Sequence, residues 1–174
     1  MWLQNLTSPS GNTGDAQGDS YVSIENLSGS NFNDALYGST GTNAISGGNG
    51  NDILIGYGGN DTLTGGAGTD RFDFRSALSA TTNVDRITDF NVAADTMRLE
   101  NAIFTALTAV GTLTSAAFAA NATGLAGDSS DRIIYEQDTG ELYYDANGSA
   151  AGGGIHFATV SANLLLTNTD FFIF

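Results

Sequence analysis

Oxygen-bearing side chains recur at a fixed interval in the first half of the chain. At nine-residue steps the sequence places Asp34, Asn43, Asp52, Asp61 and Asp70. Carboxylate and amide oxygens are the ligands that hard divalent cations prefer in proteins. Stacked close together, such carboxylates would repel one another unless a cation lay between them. The spacing therefore indicates a repeated cation site rather than a catalytic group.

The acids belong to a nine-residue block that is repeated five times from residue 29. Each block begins with glycine and reads GSNFNDALY, GSTGTNAIS, GGNGNDILI, GYGGNDTLT and GGAGTDRFD in turn. Glycines permit a tight six-residue turn, and the last three residues of a block form a short strand. The middle residue of each strand points into the core, because neighbouring side chains alternate across a strand. These core residues are Leu36, Ile45, Leu54, Leu63 and Phe72.

Two blocks complete one eighteen-residue coil, so odd and even blocks stack as two separate parallel sheets. The pattern predicts an all-β parallel β-roll over residues 29–75, with coils about 4.8 Å apart. Turn carboxylates of successive coils then face one another, and turn carbonyls complete a set of about 6–8 oxygens, which suits Ca²⁺ better than Mg²⁺. We predict Ca²⁺ between Asp34 and Asp52, between Asp52 and Asp70, and more weakly between Asn43 and Asp61. The turn glycines of these sites include Gly48, Gly50, Gly66 and Gly68.

The block resembles a known family. GGNGNDILI fits the pattern G-G-x-G-x-D-x-U-x of calcium-binding RTX repeats in full. Residues 24–34 and 85–99 also resemble the segments that enter and leave the β-roll of serralysin-type secreted proteases. The resemblance implies a calcium-binding RTX module from the C-terminal part of a secreted protein.

The segment Asp170–Phe174 resembles the uncleaved C-terminal signal of type I secretion substrates, an acid followed by four apolar residues. That resemblance implies a type I exporter (an ABC transporter) as partner and an extracellular location. A final core strand is the other interpretation of the same residues, and the two are compatible.

The flanks of the roll are predicted from shorter patterns. Residues 1–28 are expected to form a loop and a strand that caps the first coil, from Tyr21, Val22, Ile24 and Leu27. Residues 76–174 are expected to be mainly β, with a hairpin over 133–145 and one short helix over 114–121. Asp89 and Asp95, just after the last block, are either further calcium ligands or solvated turn acids.

Composition excludes several functions. The chain has 19 acidic residues against 5 basic ones, a formal net charge of −14, so it lacks the basic surface that nucleic-acid binding needs. The apolar runs are too short to span a membrane. There is no cysteine and one histidine, His156, so a zinc-protease motif is absent. No catalytic residue is predicted.

The leading hypothesis is a non-catalytic C-terminal module that folds when it binds extracellular Ca²⁺. An N-terminal effector such as a metalloprotease would precede it in the full protein. The alternative is an extracellular adhesin or glycan-binding module. The outward residues Tyr37, Ile53 and Ile55 form an apolar patch on the odd-block sheet, whereas Thr62 and Thr64 face outward on the other. We expect the chain after Asp73 to fold back and cover the isoleucines.

Overall fold

Successive turns of one coil build two sheets that enclose a thin apolar core. The computed structural model describes residues 2–7, 12–13, 23–148 and 153–174. Sheet 1 has the strand order β1-β3-β5-β7-β9-β15-β10. Its strands are β1 (Trp2–Asn5), β3 (Asp34–Tyr37), β5 (Ile53–Ile55), β7 (Arg71–Phe74), β9 (Thr96–Leu99), β15 (Phe171–Ile173) and β10 (Gly111–Thr112).

Sheet 2 has the order β11-β12-β13-β14-β8-β6-β4-β2. Its strands are β11 (Phe118–Asn121), β12 (Ile133–Glu136), β13 (Glu141–Asp145), β14 (Gly154–Thr159), β8 (Asp85–Ile87), β6 (Thr62–Ala67), β4 (Ala44–Asn49) and β2 (Asn26–Ser28). Odd blocks lie in sheet 1 and even blocks in sheet 2, which confirms the predicted parallel β-roll.

The register of the roll is the one that the nine-residue spacing predicts. Leu54 lies beside Leu36 and Phe72 in sheet 1, and Ile45 lies beside Leu63 in sheet 2. All five side chains are almost fully buried. The block pattern works because each turn occupies the same number of residues, so every inward position meets its equivalent one coil away.

The roll continues for one coil beyond the repeats. Strand β8 pairs in parallel with β6, and β9 pairs in parallel with β7. Ile87 thereby lies beside Leu63, and Met97 beside Phe72, so the apolar rows run on without a break. Residues 74–99 thus form a fourth coil with longer turns.

At the other end of the roll, both sheets carry a capping strand. Leu27 of β2 is buried beside Ile45, as the sequence suggested, whereas Ile24 is exposed. Strand β1 pairs in parallel with β3 and caps sheet 1, which was not predicted. Tyr21 and Val22 lie outside the described residues.

The remaining strands extend both sheets past the fourth coil. The predicted hairpin is confirmed, with Ile133 opposite Tyr144 and Glu136 opposite Glu141. Strand β14 joins it to β8, and β15 lies between β9 and β10. Phe157 makes edge-to-face contacts with Phe74 and Phe104 and anchors this end of the core.

The helix predicted over 114–121 is wrong in extent. One turn of 3-10 helix covers Ser115–Ala117, and Phe118–Asn121 is a strand paired with β12. The Phe118 ring lies 5.5 Å from the Phe171 ring, centroid to centroid. So short a segment is a marginal helix on its own, and backbone bonds to a sheet edge together with this aromatic contact outweigh its helix propensity.

The outward patch on sheet 1 is partly covered. Ile55 is fully buried and Ile53 half-buried, while Thr62 on the other sheet is exposed. The predicted burial is therefore confirmed for Ile55. The later strands do not fold over this face as expected, because they attach end-on and lengthen the two sheets. Within the described residues, the model has no helix long and apolar enough to cross a membrane.

Candidate metal centre

Glycines with positive φ shape the turns that carry the acids. Gly48 and Gly50 have φ of 103° and 124°, and Gly66 and Gly68 have φ of 98° and 149°. L-residues with side chains rarely adopt these conformations. A Cβ at Gly66 would also collide with the carbonyl oxygen of Gly48 in the coil below. The glycines therefore let turns of successive coils stack in close contact.

The acids of sheet 1's turns form a continuous ladder, which we call the first column. The backbone N–H of Asp34 donates to Oδ1 of Asp52 over 2.8 Å, and that of Asp52 donates to Oδ1 of Asp70 over 2.9 Å. The N–H of Asp70 donates in turn to Oδ1 of Asp95 over 2.9 Å. The structure thus brings three predicted ligands together and adds Asp95 to their line.

A second column runs along the turns that lead into sheet 2. The N–H of Asn43 donates to Oδ1 of Asp61 over 2.7 Å, and that of Asp61 donates to Oδ1 of Asp85 over 3.1 Å. Asp85 was missed from the sequence because the longer turn before it breaks the nine-residue register. A usable signal was present, since both Asp85 and Asp95 begin an Asp-x-apolar triplet like the one at Asp52.

Three carboxylate oxygens in these columns are buried without a hydrogen-bond partner. They are Oδ2 of Asp52, of Asp61 and of Asp70, in residues at most 1% exposed. An unpartnered buried oxygen is costly, and more so when it carries charge. These atoms are the places where a cation would remove the penalty.

Three end members of the columns differ because their own turns cap them. Oδ2 of Asp34 accepts the N–H of Ser30 over 2.6 Å, and Oδ2 of Asp95 accepts the N–H of Asn91 over 2.9 Å. Oδ1 of Asn43 likewise accepts the N–H of Ser39.

In the three uncapped turns, the residue at the same second position has positive φ. These residues are Gly48, Tyr57 and Gly66. In these turns the N–H of the second residue does not bond to Oδ2 of the acid, which has no hydrogen-bond partner. The backbone at the second position thereby separates capped turns from turns prepared for a ligand.

Burial makes the charged form of these acids unfavourable in the absence of a cation. Loss of solvent raises the pKa of Asp61 to about 6 and that of Asp70 to about 6, the latter helped by the nearby carboxylates of Asp95, Asp52 and Asp89. Burial and the neighbouring Asp61 raise the pKa of Asp85 to about 8. Each column thus concentrates negative charge that only protons or a metal ion can neutralise.

Calcium fits this donor set. In the part of the chain that the structure describes, no three acidic or imidazole side chains converge on one point. Each gap between coils instead offers two column side chains, with turn carbonyls as further oxygens. Ca²⁺ accepts such mixed sets of carboxylates and backbone carbonyls in flexible geometry, whereas Mg²⁺ requires near-ideal octahedra.

Neither Asp89 nor His156 extends these columns. The carboxylate of Asp89 accepts the N–H groups of Gly65 and Gly66 over 2.9 and 2.8 Å, so it caps the last repeat turn. His156 lies in β14, where its Nε2 contacts the Ala158 carbonyl and the Thr159 hydroxyl. His156 is therefore an ordinary strand residue.

Comparison with known proteins agrees with the geometry of the turns. Residues 23–54 and 46–75 match the family model of the RTX calcium-binding nonapeptide repeat (4 copies). No curated protein matches the chain. Among solved structures, it is similar to the AlgE6R3 subunit of the Azotobacter vinelandii mannuronan C5-epimerase, with 26% identity over 82% of this chain and 79% of that one. The TM-score of 0.29 is too low to support any argument. The roll is a block of RTX repeats, and Ca²⁺ is the ion that such repeats bind.

Proposed function

We propose that this chain is a non-catalytic module of a secreted protein that folds when it meets extracellular calcium. The observation that carries the proposal is the set of buried, unpartnered oxygens on Asp52, Asp61 and Asp70. Each of these atoms needs a cation before the roll can close without a large electrostatic cost. Calcium binding and folding are therefore one event, as in other small metal-dependent domains.

The proposed sites lie between coils of the two columns. In the first column, Ca²⁺ binds between Asp34 and Asp52 and between Asp52 and Asp70. In the second column it binds between Asn43 and Asp61, where an amide replaces one carboxylate. Carbonyls of the turns that contain Gly48, Gly50, Gly66 and Gly68 supply further oxygens.

The charge of the chain supports folding outside the cell. A formal net charge of −14 opposes compaction where free calcium is low. Extracellular modules bind calcium at roughly 10⁻⁴–10⁻³ M, so the same chain would fold after release.

Export is proposed to use Asp170–Phe174 as the signal for a type I exporter. In the folded chain Phe171 and Ile173 are buried in the core, and Asp170 caps its own turn by accepting the N–H of Thr167. An exporter would therefore read this segment in the unfolded chain. The resemblance of residues 24–34 and 85–99 to serralysin-type proteases favours a metalloprotease as the attached effector.

Circular dichroism tests the calcium dependence. The purified chain should lose its β signal in EDTA, regain it in millimolar Ca²⁺, and fail to regain it in equimolar Mg²⁺. A spectrum that EDTA leaves unchanged at low salt would contradict the proposal.

Secretion tests the export signal separately. Replacing Asp170–Phe174 by five glycine and serine residues should abolish release by a type I exporter while intracellular expression continues. The same replacement of the exposed turn residues 137–139 is the control. Normal release of the first variant would show that the signal lies elsewhere.

A second candidate function, glycan binding, is favoured by the outer face of sheet 1. The rings of Tyr37 and Tyr57 stack there with centroids 6.4 Å apart, and both are half-buried. The Arg98 guanidinium lies 5.7 Å from the Phe172 ring, which is 36% exposed. Aromatic and guanidinium groups of this kind contact sugars. A glycan array with Tyr57→Ala as the comparison would decide between a ligand-binding and a purely structural face.

A further inference from the structure

The second column of acids does not end with the repeats. Asp85 lies outside the matched blocks, yet its Oδ1 accepts the N–H of Asp61, as Asp61 accepts that of Asn43. The turn that precedes Asp85 is bound to the turn of Asp61 through Asn60, which accepts the N–H of Val84.

This pair of acids is buried and has no basic counterpart. Asp61 is 1% exposed and Asp85 is 6% exposed. Within the described residues, the ion pairs join arginines to Asp73, and neither acid takes part in one. Oδ2 of Asp61 has no hydrogen-bond partner, so an unpartnered buried oxygen lies on the residue whose N–H the Asp85 carboxylate accepts.

From this arrangement we propose a further calcium site between Asp61 and Asp85, at the junction of the repeats and the fourth coil. It rests on the proposed calcium-dependent function but uses a residue outside the repeats. The gap between Asn43 and Asp61 holds one carboxylate, whereas this gap holds two. The junction site therefore matches the double charge of Ca²⁺ better, and it fills first in the second column.

The site links calcium to the residues beyond the roll. Strand β8 begins at Asp85, and β14 pairs with β8 through Ala158 opposite Asp85. An ion at Asp85 therefore fixes the start of the strand on which the rest of sheet 2 is built.

Counting bound ions tests the proposal. In a Ca²⁺ titration followed by native mass spectrometry of the full chain, one ion of Asp85→Asn should bind about tenfold more weakly than in the unaltered chain, equivalent to about 1.4 kcal/mol. The substitution is nearly isosteric, and Asn43 shows that a column position tolerates an amide. Asp138→Asn, at an exposed turn, is the control and should keep every ion. A Ca²⁺ titration of Asp85→Asn that matches that of the unaltered chain would overturn the site, whereas an unaltered chain that binds no Ca²⁺ would instead overturn the proposed function.

A measurement on the unaltered chain covers the case in which Asp85→Asn does not fold. Substoichiometric Gd³⁺, added to the folded ¹⁵N-labelled chain with Ca²⁺ bound, replaces Ca²⁺ first where most carboxylates meet and broadens amides steeply with proximity. An ion in the junction gap is about half a coil spacing of 4.8 Å from residues 83–85 and about one and a half spacings from residues 41–43. Amides of Asn83 and Val84 should therefore broaden before those of Thr42 and Asn43. The opposite order would overturn the proposal.

Discussion

At the scale of single residues, the backbone at the second position of a turn determines what its acid is free to bind. Ser30 points its N–H at Asp34, whereas Gly48, with φ of 103°, leaves Oδ2 of Asp52 unpartnered. Tyr57 achieves the same effect at φ 68° without being glycine. A tyrosine in this left-handed conformation is strained, and such strain is typical of functional turns.

Asp52 is expected to matter more than Asp34, because it contributes to two proposed sites and has a free oxygen. Asp52→Asn should raise the calcium concentration at half-folding by about tenfold or more, equivalent to about 1.4 kcal/mol. Asp34→Asn should have a clearly smaller effect, since Ser30 already satisfies Oδ2 of Asp34. Calcium titrations followed by circular dichroism would check this ranking. Equal midpoints for the two variants would rule out the sharing of Asp52.

The turn glycines offer a matched pair of substitutions. Gly66→Ala places a Cβ against the Gly48 carbonyl at positive φ and should lower the free energy of unfolding in Ca²⁺ by about 2 kcal/mol or more. Gly41→Ala meets only the Ser39 hydroxyl, at 3.8 Å, and should change it little. Urea unfolding at saturating Ca²⁺ compares the two. If Gly66→Ala were as stable as Gly41→Ala, close stacking of the turns would not be essential.

The residues of the repeat could be placed from the sequence because an unbroken nine-residue register assigns each one a role. Leu54 and Asp52 could be placed in this way. Asp85 could not be placed in this way, because the turn before it is longer than the repeat turns and the nine-residue spacing no longer applies there. The positive φ of Tyr57 could not be predicted either, because a tyrosine at this position gives no indication that the stacked turns require a glycine-like backbone.

At the scale of elements, β15 is a core strand of sheet 1, whether or not the same residues also serve as an export signal. It pairs in parallel with β9 and antiparallel with β10, and its alternation buries Phe171 and Ile173. On the outer side, the Arg98 guanidinium lies 4.2 Å from the Phe174 ring and pairs with Asp73. The sequence predicted the two possible roles of this segment but not its place in the sheet.

A pair of neighbouring aromatics tests the structural role of β15. Phe171→Ala removes a fully buried ring and should cost about 3–5 kcal/mol of unfolding free energy. Phe172→Ala removes a ring that is 36% exposed and stacks on Arg98, so it should cost about 1 kcal/mol or less. Denaturant unfolding at fixed Ca²⁺ would measure both. Similar losses for the two variants would mean that β15 is not packed as described.

Long-range pairing explains why elements outside the roll were harder to predict. The hairpin β12–β13 follows from local alternation and a short turn, and it was predicted correctly. Strand β11 depends on a parallel neighbour and on Phe171, more than fifty residues away in the chain. Local propensity contains no information about such partners, so it favoured a helix there.

At the scale of the whole molecule, the acids that need calcium should respond to protons in its absence. The pKa values of Asp61, Asp70 and Asp85 are raised by burial, to about 6, about 6 and about 8. The unfolded chain has the ordinary value of about 3.9. The folded calcium-free chain therefore binds more protons, and its stability is greatest below about pH 4 and is lost as the pH rises toward 8.

In calcium-stripped buffer, the β signal should consequently increase as the pH is lowered from 8 to 5. With saturating Ca²⁺ the dependence should reverse, because protons then compete with the metal for the same oxygens. Circular dichroism at both pH values, with and without Ca²⁺, gives the four measurements needed. Asp138→Asn should follow the unaltered chain. A calcium-free signal that grows with pH would contradict the burial of these carboxylates.

The position of β15 between β9 and β10 has a consequence for the order of assembly. Among the described strands, β10 pairs with β15 alone, although it precedes it in the chain by about sixty residues. Strand β10 can therefore pair only after β15 is in place, and contacts between residues this far apart in sequence form slowly. Sheet 1 cannot finish from its earlier residues, however well the calcium turns have formed. A chain truncated before Phe171 therefore leaves β10 unpaired and the edge of β9 exposed, so proteases can distinguish it from the complete chain.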